Sequence, residues 1–472
     1  MQTECKERQL EFQGFGRRQV VADFDGGRIS SDGGLLLLRE VAGRSGLLER
    51  FGRCFTDYRD SRYIEHTVAE LVSQRVLALA QGYEDLNDHD VLRDDLLLAL
   101  AVGKQDLAGS QRPRARDRGH ALAGKSTLNR LERTPEQLKP KERYTKIAYD
   151  AAAIEQLFTD DFIRAHRQPP EELVLDLDAT DDPLHGQQEG RFFHGYYGCY
   201  CYLPLYIFCG DFLLGAKLRT ANRDGAAGAL DEVKRIVGQL RAAWPQARLT
   251  LRADSGFARE ELMKWCEEHQ VDYVFGLARN SRLQALINSE LTAAAAQSRE
   301  SGKPVRIFKD LSYQTLSSWS RTRRVVGKAE HLPDKSNPRF VVTSYPITRM
   351  AAAPLYQELY CARGDMENRI KEQQLGLFAD RTSSATMRAN QLRLWFAALA
   401  YGLLNHLRHG GLRDTELAHA QVSTIRCRLL KIGARVTVSV RRVVASLSSA
   451  FPLQGLFARV LANLQRASPE SN

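Results

Sequence analysis

Two hydrophobic rhythms divide the chain. Between residues 30 and 100 apolar positions recur every three to four residues, as in GGLLLLREVAGRSGLLERF and IEHTVAELVSQRVLALAQGY. That spacing predicts helices with one buried face. A polar, basic stretch follows, GSQRPRARDRGHALAGKS, and reads as a loop. From residue 172 the period shortens, and LVLDLDAT, CYLPLYIFCG, FLLGAKLRT, RLTLRAD and DYVFGLA predict strands. Helices are expected near residues 225–244 and 259–268, so the order is three strands, helix, strand, helix, strand. Residues 304–345, with VRIFKDLSYQTLSSW, RTRRVVGKAEH and RFVVTSYP, predict antiparallel strands inserted after that core. LYQELYCARGDMENRIKEQQ is helical in pattern, and helical periodicity returns past residue 390. No internal repeat interrupts this plan.

At 472 residues the chain has room for roughly two to four domains with a substantial core. An apolar share of 43% and a charged share of 26% fit a soluble globular protein. No stretch has the roughly 18 uncharged apolar residues of a membrane span. The opening MQTECKERQLEFQ lacks the apolar core of a signal peptide. Among eight cysteines only Cys199 and Cys201 are close, and no Cys-x-x-Cys or His-x-x-His pair suggests zinc. Both are expected on one face of the strand CYCYLPLYIF as reduced core residues, which suits a cytoplasmic protein.

Charge is distributed unevenly. Residues 381–472 hold 13 Arg/Lys against 3 Asp/Glu, a surplus that equals the whole chain's net +10. Arg426, Arg428, Lys431, Arg435, Arg441 and Arg442 cluster there. Residues 103–146 hold 12 Arg/Lys against 5 Asp/Glu. Such segments bind phosphate backbones with little sequence preference. The plainer alternative is a solvated face, and the alternation of Val436, Val438 and Val440 beside the arginines suits an element packed on a core.

Three acids carry the chemistry. In LVLDLDATDD, alternation places Leu173, Leu175 and Leu177 on one strand face and Val174, Asp176 and Asp178 on the other. A single acid after an apolar run usually serves a turn or cap. Two on an inward face are costly unless a cation relieves them. Asp254 closes RLTLRADSG; Asp-Ser-Gly is a common turn, but a strand precedes it and a helix follows. Tyr360, Arg363 and Glu367 lie at i, i+3 and i+7, on one helix face that Lys371 extends. A solvated, salt-bridged helix would show the same charges. Met in one pocket, the three acids could hold two divalent ions about 4 Å apart, the geometry for displacement at phosphorus. A rival reading takes Asp176-Leu177-Asp178-Ala179-Thr180 as the Asp-x-Asp-x-Thr motif of haloacid dehalogenase-like phosphatases, with Asp176 as nucleophile. No downstream lysine and acidic motif complete it, and it leaves Glu367 and the basic tail without a role.

On LVLDLDATDDPLHGQQEGRFFHGYYG, LTLRADSGFAREELMKWCEEHQVDYVFGLARN and YCARGDMENRIKEQQLGLFADRTS, continuing through MRANQLRLWFAALAYGLLNHLR, the chain resembles the DDE transposases of bacterial insertion sequences, closest to the insertion-sequence 1380 family. These stretches span about residues 172–408, with weaker similarity at AGKSTLNRLE and RCRLLKIGARVTVSVRRV. The resemblance implies an α/β fold with a ribonuclease H-like catalytic core over 170–285 and 350–405. A β-strand insertion over 286–349 would precede the glutamate helix. A helical DNA-binding region with a basic linker (1–150) and a basic C-terminal region (406–472) would flank the core. Asp178, Asp254 and Glu367 become the metal-binding triad for two Mg²⁺ ions, with Mn²⁺ as a substitute. Tyr360, Arg363 and Glu367 match the tyrosine–arginine–glutamate signature of the wider group. Position 374 is Gln where that signature has lysine, and Lys371 is the nearest phosphate-gripping substitute. Lys125, Arg130 and Arg133 are expected to meet terminal inverted repeats, and Arg426, Arg428, Arg441 and Arg442 the DNA backbone. The implied partners are double-stranded transposon ends and target DNA, with a homodimer in the synaptic complex. The implied setting is a bacterial cytoplasm, at the nucleoid when DNA-bound. A domesticated, inactive DNA-binding protein would be marked by a lost triad member, and all three are present.

Overall fold

The computed structural model describes residues 9–135, 144–332 and 335–466. The described chain divides into two compact units. One comprises residues 9–45, 60–129 and 406–466, and the other residues 46–59 and 130–405.

The second unit is built on a nine-stranded mixed sheet. Its strands are β1 (Glu172–Ala179), β2 (Leu205–Cys209), β3 (Phe212–Lys217), β4 (Arg248–Ala253), β5 (Asp272–Leu277), β6 (Val305–Tyr313), β7 (Arg323–Leu332), β8 (Lys335–Ser336) and β9 (Arg339–Thr343). Spatially they run β3-β2-β1-β4-β5-β9-β7-β6, with β8 paired to β7. Strand β1 is antiparallel to β2 and parallel to β4, which is parallel to β5. Helix α1 (Ala229–Ala243) leads into β4, and α2 (Glu260–Glu268) into β5. The expected order of three strands, helix, strand, helix, strand is therefore present.

Alternation in β1 sorts the two faces. Leu173, Leu175 and Leu177 enter a core shared with Val233, Ile236 and Leu240 of α1 and Leu262 and Met263 of α2. A continuous helical run, α3 (residues 352–376), covers the opposite face. Its Leu355 and Tyr356 pack on Val274, Val326 and Val341. The run loosens into π turns at Leu355–Tyr360 and Glu372–Gly376, on either side of its acidic segment. Helix α4 (Met387–His406) covers the open edge at β3: Trp395 Nε1 and Gln391 Nε2 both donate to Ala216 O, at 3.0 and 3.1 Å. An edge strand left unpaired is a template for aggregation, and these side chains occupy it.

Three expectations change. CYCYLPLYIF is not one strand, because Pro204 has no N–H for a ladder. The chain breaks there into Cys199–Tyr202, in a small sheet with Asp182–Pro183 and Phe192–His194, and β2. Cys201 is buried, Cys199 half-buried, and both thiols are free. The strands expected as an inserted subdomain over 286–349 are antiparallel but continue the core sheet, since β9 pairs β5 through Phe275↔Val342. The first part of that stretch is helix, Asn288–Ser301.

The flanking regions are not purely helical either. Leu35–Ser45, Val68–Gln81 and Leu96–Val102 are helices as expected, and Thr67 and Glu70 form a reciprocal cap at the start of the second. Leu10–Phe15 and Arg18–Ala22, however, make an exposed hairpin. Ala434–Val438 and Val443–Leu447 make another, in which Val436 is buried while Val438 and Val440 are exposed. Gly34 explains how this first unit closes on itself: a Cβ there would stand 2.3 Å from Leu430 Cα. Its N–H instead donates to Leu430 O at 3.0 Å. Among the described residues no helix is long and apolar enough to cross a membrane.

Candidate active site

Parallel pairing of β1 with β4 brings two of the acids together. Leu177 is opposite Ala253, so the next positions on, Asp178 and Asp254, emerge side by side at the carboxyl ends of the two strands. Asp254 also makes the turn that its sequence suggests, with Oδ1 accepting from Gly256 N at 2.8 Å. From the other side α3 supplies Glu367. All three line one cavity of about 440 Å³, together with Arg363, Lys371 and Gln374.

Arg363 is the electrostatic centre of this arrangement. Its Nη2 donates to Glu367 Oε1 at 2.7 Å, and its Nη1 stands 3.5 Å from Asp178 Oδ2. Burial pushes the Asp178 carboxyl up to about 6; Arg363 opposes the rise, and Asp254 and Glu367 add to it. One guanidinium thus serves two carboxylates while a third stands nearby. The donor set is all hard carboxylate oxygen, which suits Mg²⁺ or Mn²⁺. Among the described residues no three ligand side chains already form a cage, and Arg363 takes the place between Asp178 and Glu367. The residues fit a divalent ion by charge and donor chemistry.

Tyr360 is half-buried, against Tyr356 at 5.4 Å between centroids. Lys371 is exposed at the cavity, and Gln374 Nε2 donates to Asp181 O at 3.0 Å. Asp176 is not on the cavity. It is buried, and its two oxygens accept from Arg252 Nε and Nη2 at 2.5 and 2.8 Å. Arg252 Nη1 then donates to Leu359 O at 2.6 Å, tying β4 to α3 one residue before Tyr360. An aspartate held at both oxygens is a poor nucleophile, so the phosphatase reading fails on geometry.

Two further residues shape the site without standing out as charged pocket groups in the sequence. Arg252 lies opposite Asp176 in register, a pairing between strands that no local pattern reveals. Gly276, inside β5, is where a Cβ would stand 2.6 Å from Tyr360 Oη and 2.8 Å from Ser255 N. A glycine within a strand run signals such a close approach, and DYVFGLA contains it.

The expected DNA contacts divide by burial. Arg428, Arg441 and Arg442 are exposed, as are Arg130 and Arg133. Lys125 is exposed and paired with Asp90 at 3.0 Å. Arg426 is half-buried and donates to Ala80 O and Leu79 O, at 2.9 and 3.3 Å, at the end of helix Val68–Gln81. In the basic loop, Arg112 holds Glu65 and His120 O.

A mixed sheet presenting paired aspartates at parallel strand ends and a glutamate from a covering helix makes a carboxylate-lined cavity. A family model described as "Transposase DDE domain group 1" matches residues 12–469, and the chain belongs to that family. No curated protein matches the sequence. Among solved structures, the cryo-EM structure of the piggyBac transposase synaptic complex with hairpin DNA shares 11% identity. That match covers 84% of this chain and 79% of that one, with a TM-score of 0.42.

Proposed function

We propose that this protein is the transposase of an insertion sequence, with a ribonuclease H-like core. It binds the terminal inverted repeats and catalyses metal-dependent strand cleavage and strand transfer. One observation carries the reading. In a chain of a transposase family, acids 76 and 113 residues apart in sequence, Asp178, Asp254 and Glu367, line one cavity. Asp178, Asp254 and Glu367 would hold the divalent ions. Bound there, Mg²⁺ or Mn²⁺ supplies Lewis-acid polarisation of the attacking and leaving oxygens.

The chain's own residues do the rest. Arg363, released from its two carboxylates, is placed to grip a phosphate beside the scissile bond, with Lys371 about two helical turns further on. Tyr360 and the Arg252–Leu359 contact hold the helix that presents Glu367. Arg428, Arg441 and Arg442, together with Lys125, Arg130 and Arg133, track the DNA backbone and ends, and two copies of the chain act in the synaptic complex.

The test uses purified protein and DNA carrying the element's own ends. Asp178→Asn, Asp254→Asn and Glu367→Gln should each abolish strand cleavage while end binding persists. Near-wild-type cleavage by any of them would remove that residue from the triad.

A further inference from the structure

One acid of the LVLDLDATDD stretch lies outside the carboxylate cavity. Asp182 sits in the short strand Asp182–Pro183, which pairs with Cys201–Tyr202. It is 1% exposed and does not line the cavity. Neither of its carboxylate oxygens has a hydrogen-bond partner among the described residues. A buried carboxylate left that way is costly, and the neighbouring side chains do not relieve it. Burial raises the Asp182 carboxyl, the Thr382 hydroxyl opposes the rise, and Asp380 and Asp181 add to it. No lysine, arginine or histidine is among the groups acting on it. Thr382 is 3% exposed and in range, yet its Oγ1 closes no hydrogen bond either.

Long-range contacts bring these groups together. Gln374 Nε2 donates to Asp181 O at 3.0 Å, Gln188 Nε2 to Thr382 O at 3.4 Å, and Glu189 N to Ala385 O at 2.9 Å. The turn after α3 holds Phe378 at φ +61°, a left-handed conformation that is unfavourable for a bulky residue. Arg381 N donates to Phe378 O at 3.0 Å and closes the turn that delivers Asp380 and Thr382. At the end of α3, Gln373 is fully buried, and both its amide atoms lack partners among the described residues. Tyr202 and Tyr206, both buried, are the other titratable groups in range of Asp182, and the Tyr202 hydroxyl donates to Glu189 O. The unmatched oxygens of a carboxylate, a hydroxyl and an amide are hard donors, suited to a hard cation. Asp182 is fully buried whereas Asp181 and Asp380 are half-buried, so one positive charge balances the spot. A divalent ion would leave excess charge in the interior. We propose that Asp182, with Thr382 and the segment that ends α3, forms a site for a monovalent cation, Na⁺ or K⁺, separate from the carboxylate cavity. The ion staples the strand Asp182–Pro183 to the turn after the helix that presents Glu367. In its absence a proton takes its place on Asp182. This inference is independent of the strand-cleavage reading.

The test is the melting temperature of full-length protein in chelator-treated buffer, at a pH just above 8 so that the proton competes least. Chloride salts of potassium, sodium and choline are compared at one ionic strength, about 0.2 M, so that screening is equal. Choline is too bulky for an interior site and leaves only the proton as occupant. Potassium or sodium should raise the melting temperature over choline by about 3 °C or more, as an ion bound only by the folded state does. Asp182→Asn should remove that difference. Thr382→Val, which keeps the carboxylate, should at least roughly halve it, and decides the matter if Asp182→Asn does not fold. Equal wild-type melting temperatures in all three salts overturn the site, as does a difference that survives either variant in full. Stabilisation by Mg²⁺ that Asp182→Asn removes, with none from the alkali ions, also overturns it, because the occupant is then divalent.

Discussion

The contact between Asp176 and Arg252 can be weighed quantitatively. The side chains are 5% and 9% exposed, and two hydrogen bonds of 2.5 and 2.8 Å join them. Asp176→Asn keeps the shape and one acceptor oxygen but removes the charge, leaving Arg252 buried without a counter-ion. Breaking a buried pair in this way costs about 3–5 kcal/mol, against a total domain stability of about 5–15 kcal/mol. The retained acceptor argues for the lower end. For a unit of this size each kcal/mol shifts the melting temperature by roughly 2–4 °C, so a fall of about 6–12 °C is expected. Tryptophan fluorescence is a selective probe, because all four tryptophans, Trp244, Trp265, Trp319 and Trp395, lie in the unit that contains the sheet. The double variant Asp176→Leu/Arg252→Met should recover most of the stability, since apolar replacement of both members of a buried pair is often neutral or stabilising. An unchanged melting temperature in Asp176→Asn, or a double variant no better than the single, would refute this reasoning. Cleavage should be reduced in the single variant and not abolished. Metal-dependent hydrolysis of a small phosphate ester, absent altogether in that variant, would instead revive the phosphatase reading.

Asp182, 1% exposed, gives a pH prediction: burial pushes its carboxyl up to about 8, with Thr382 opposing and Asp380 and Asp181 adding to the rise. The folded state therefore holds a proton that the unfolded chain releases near pH 4. Stability from this group is fullest below that pH and declines as pH rises towards 8, by a few kcal/mol in order of magnitude. Asp182→Asn should flatten the melting temperature between pH 5 and about 8; an unaltered profile would count against it. For the basic tail, replacing Arg428, Arg441 and Arg442 with Gln should flatten the dependence of log K on log salt by roughly 0.9 for each phosphate no longer neutralised. Arg426→Gln should chiefly lower thermal stability, because its guanidinium serves the carbonyls of Leu79 and Ala80. A folded triple variant with an unchanged salt slope would end the claim for the tail.

Local pattern makes the strand ends legible, and with them the acids. The apolar alternation of Leu173, Leu175 and Leu177 survives in the structure because that face is buried under helices. What pattern does not carry is which strands become neighbours. The parallel register of β1 and β4 sets Asp178 beside Asp254, and the β5–β9 pairing draws the supposed insertion into the core sheet. Both are contacts between residues far apart in sequence. The hairpin at residues 10–22 escapes pattern for a different reason: it is exposed on both sides, so no buried face imposes a period. Arg426 shows that a cation counted as surface charge can be used up inside the fold as a cap.

Gly276 acts as a gauge for the whole site. The strand that bears it, the turn at Asp254 and the hydroxyl of Tyr360 meet in the volume that one methyl group would fill. The distance between a fixed aspartate and the helix that delivers Glu367 is therefore set by an omitted atom. Neighbouring positions of β5, such as Val274 and Phe275, can exchange one apolar side chain for another and let the core repack. At 276 there is no volume to trade. Sequence drift in this protein is thus expected to be freer at such apolar neighbours and closed at a residue with no chemistry at all.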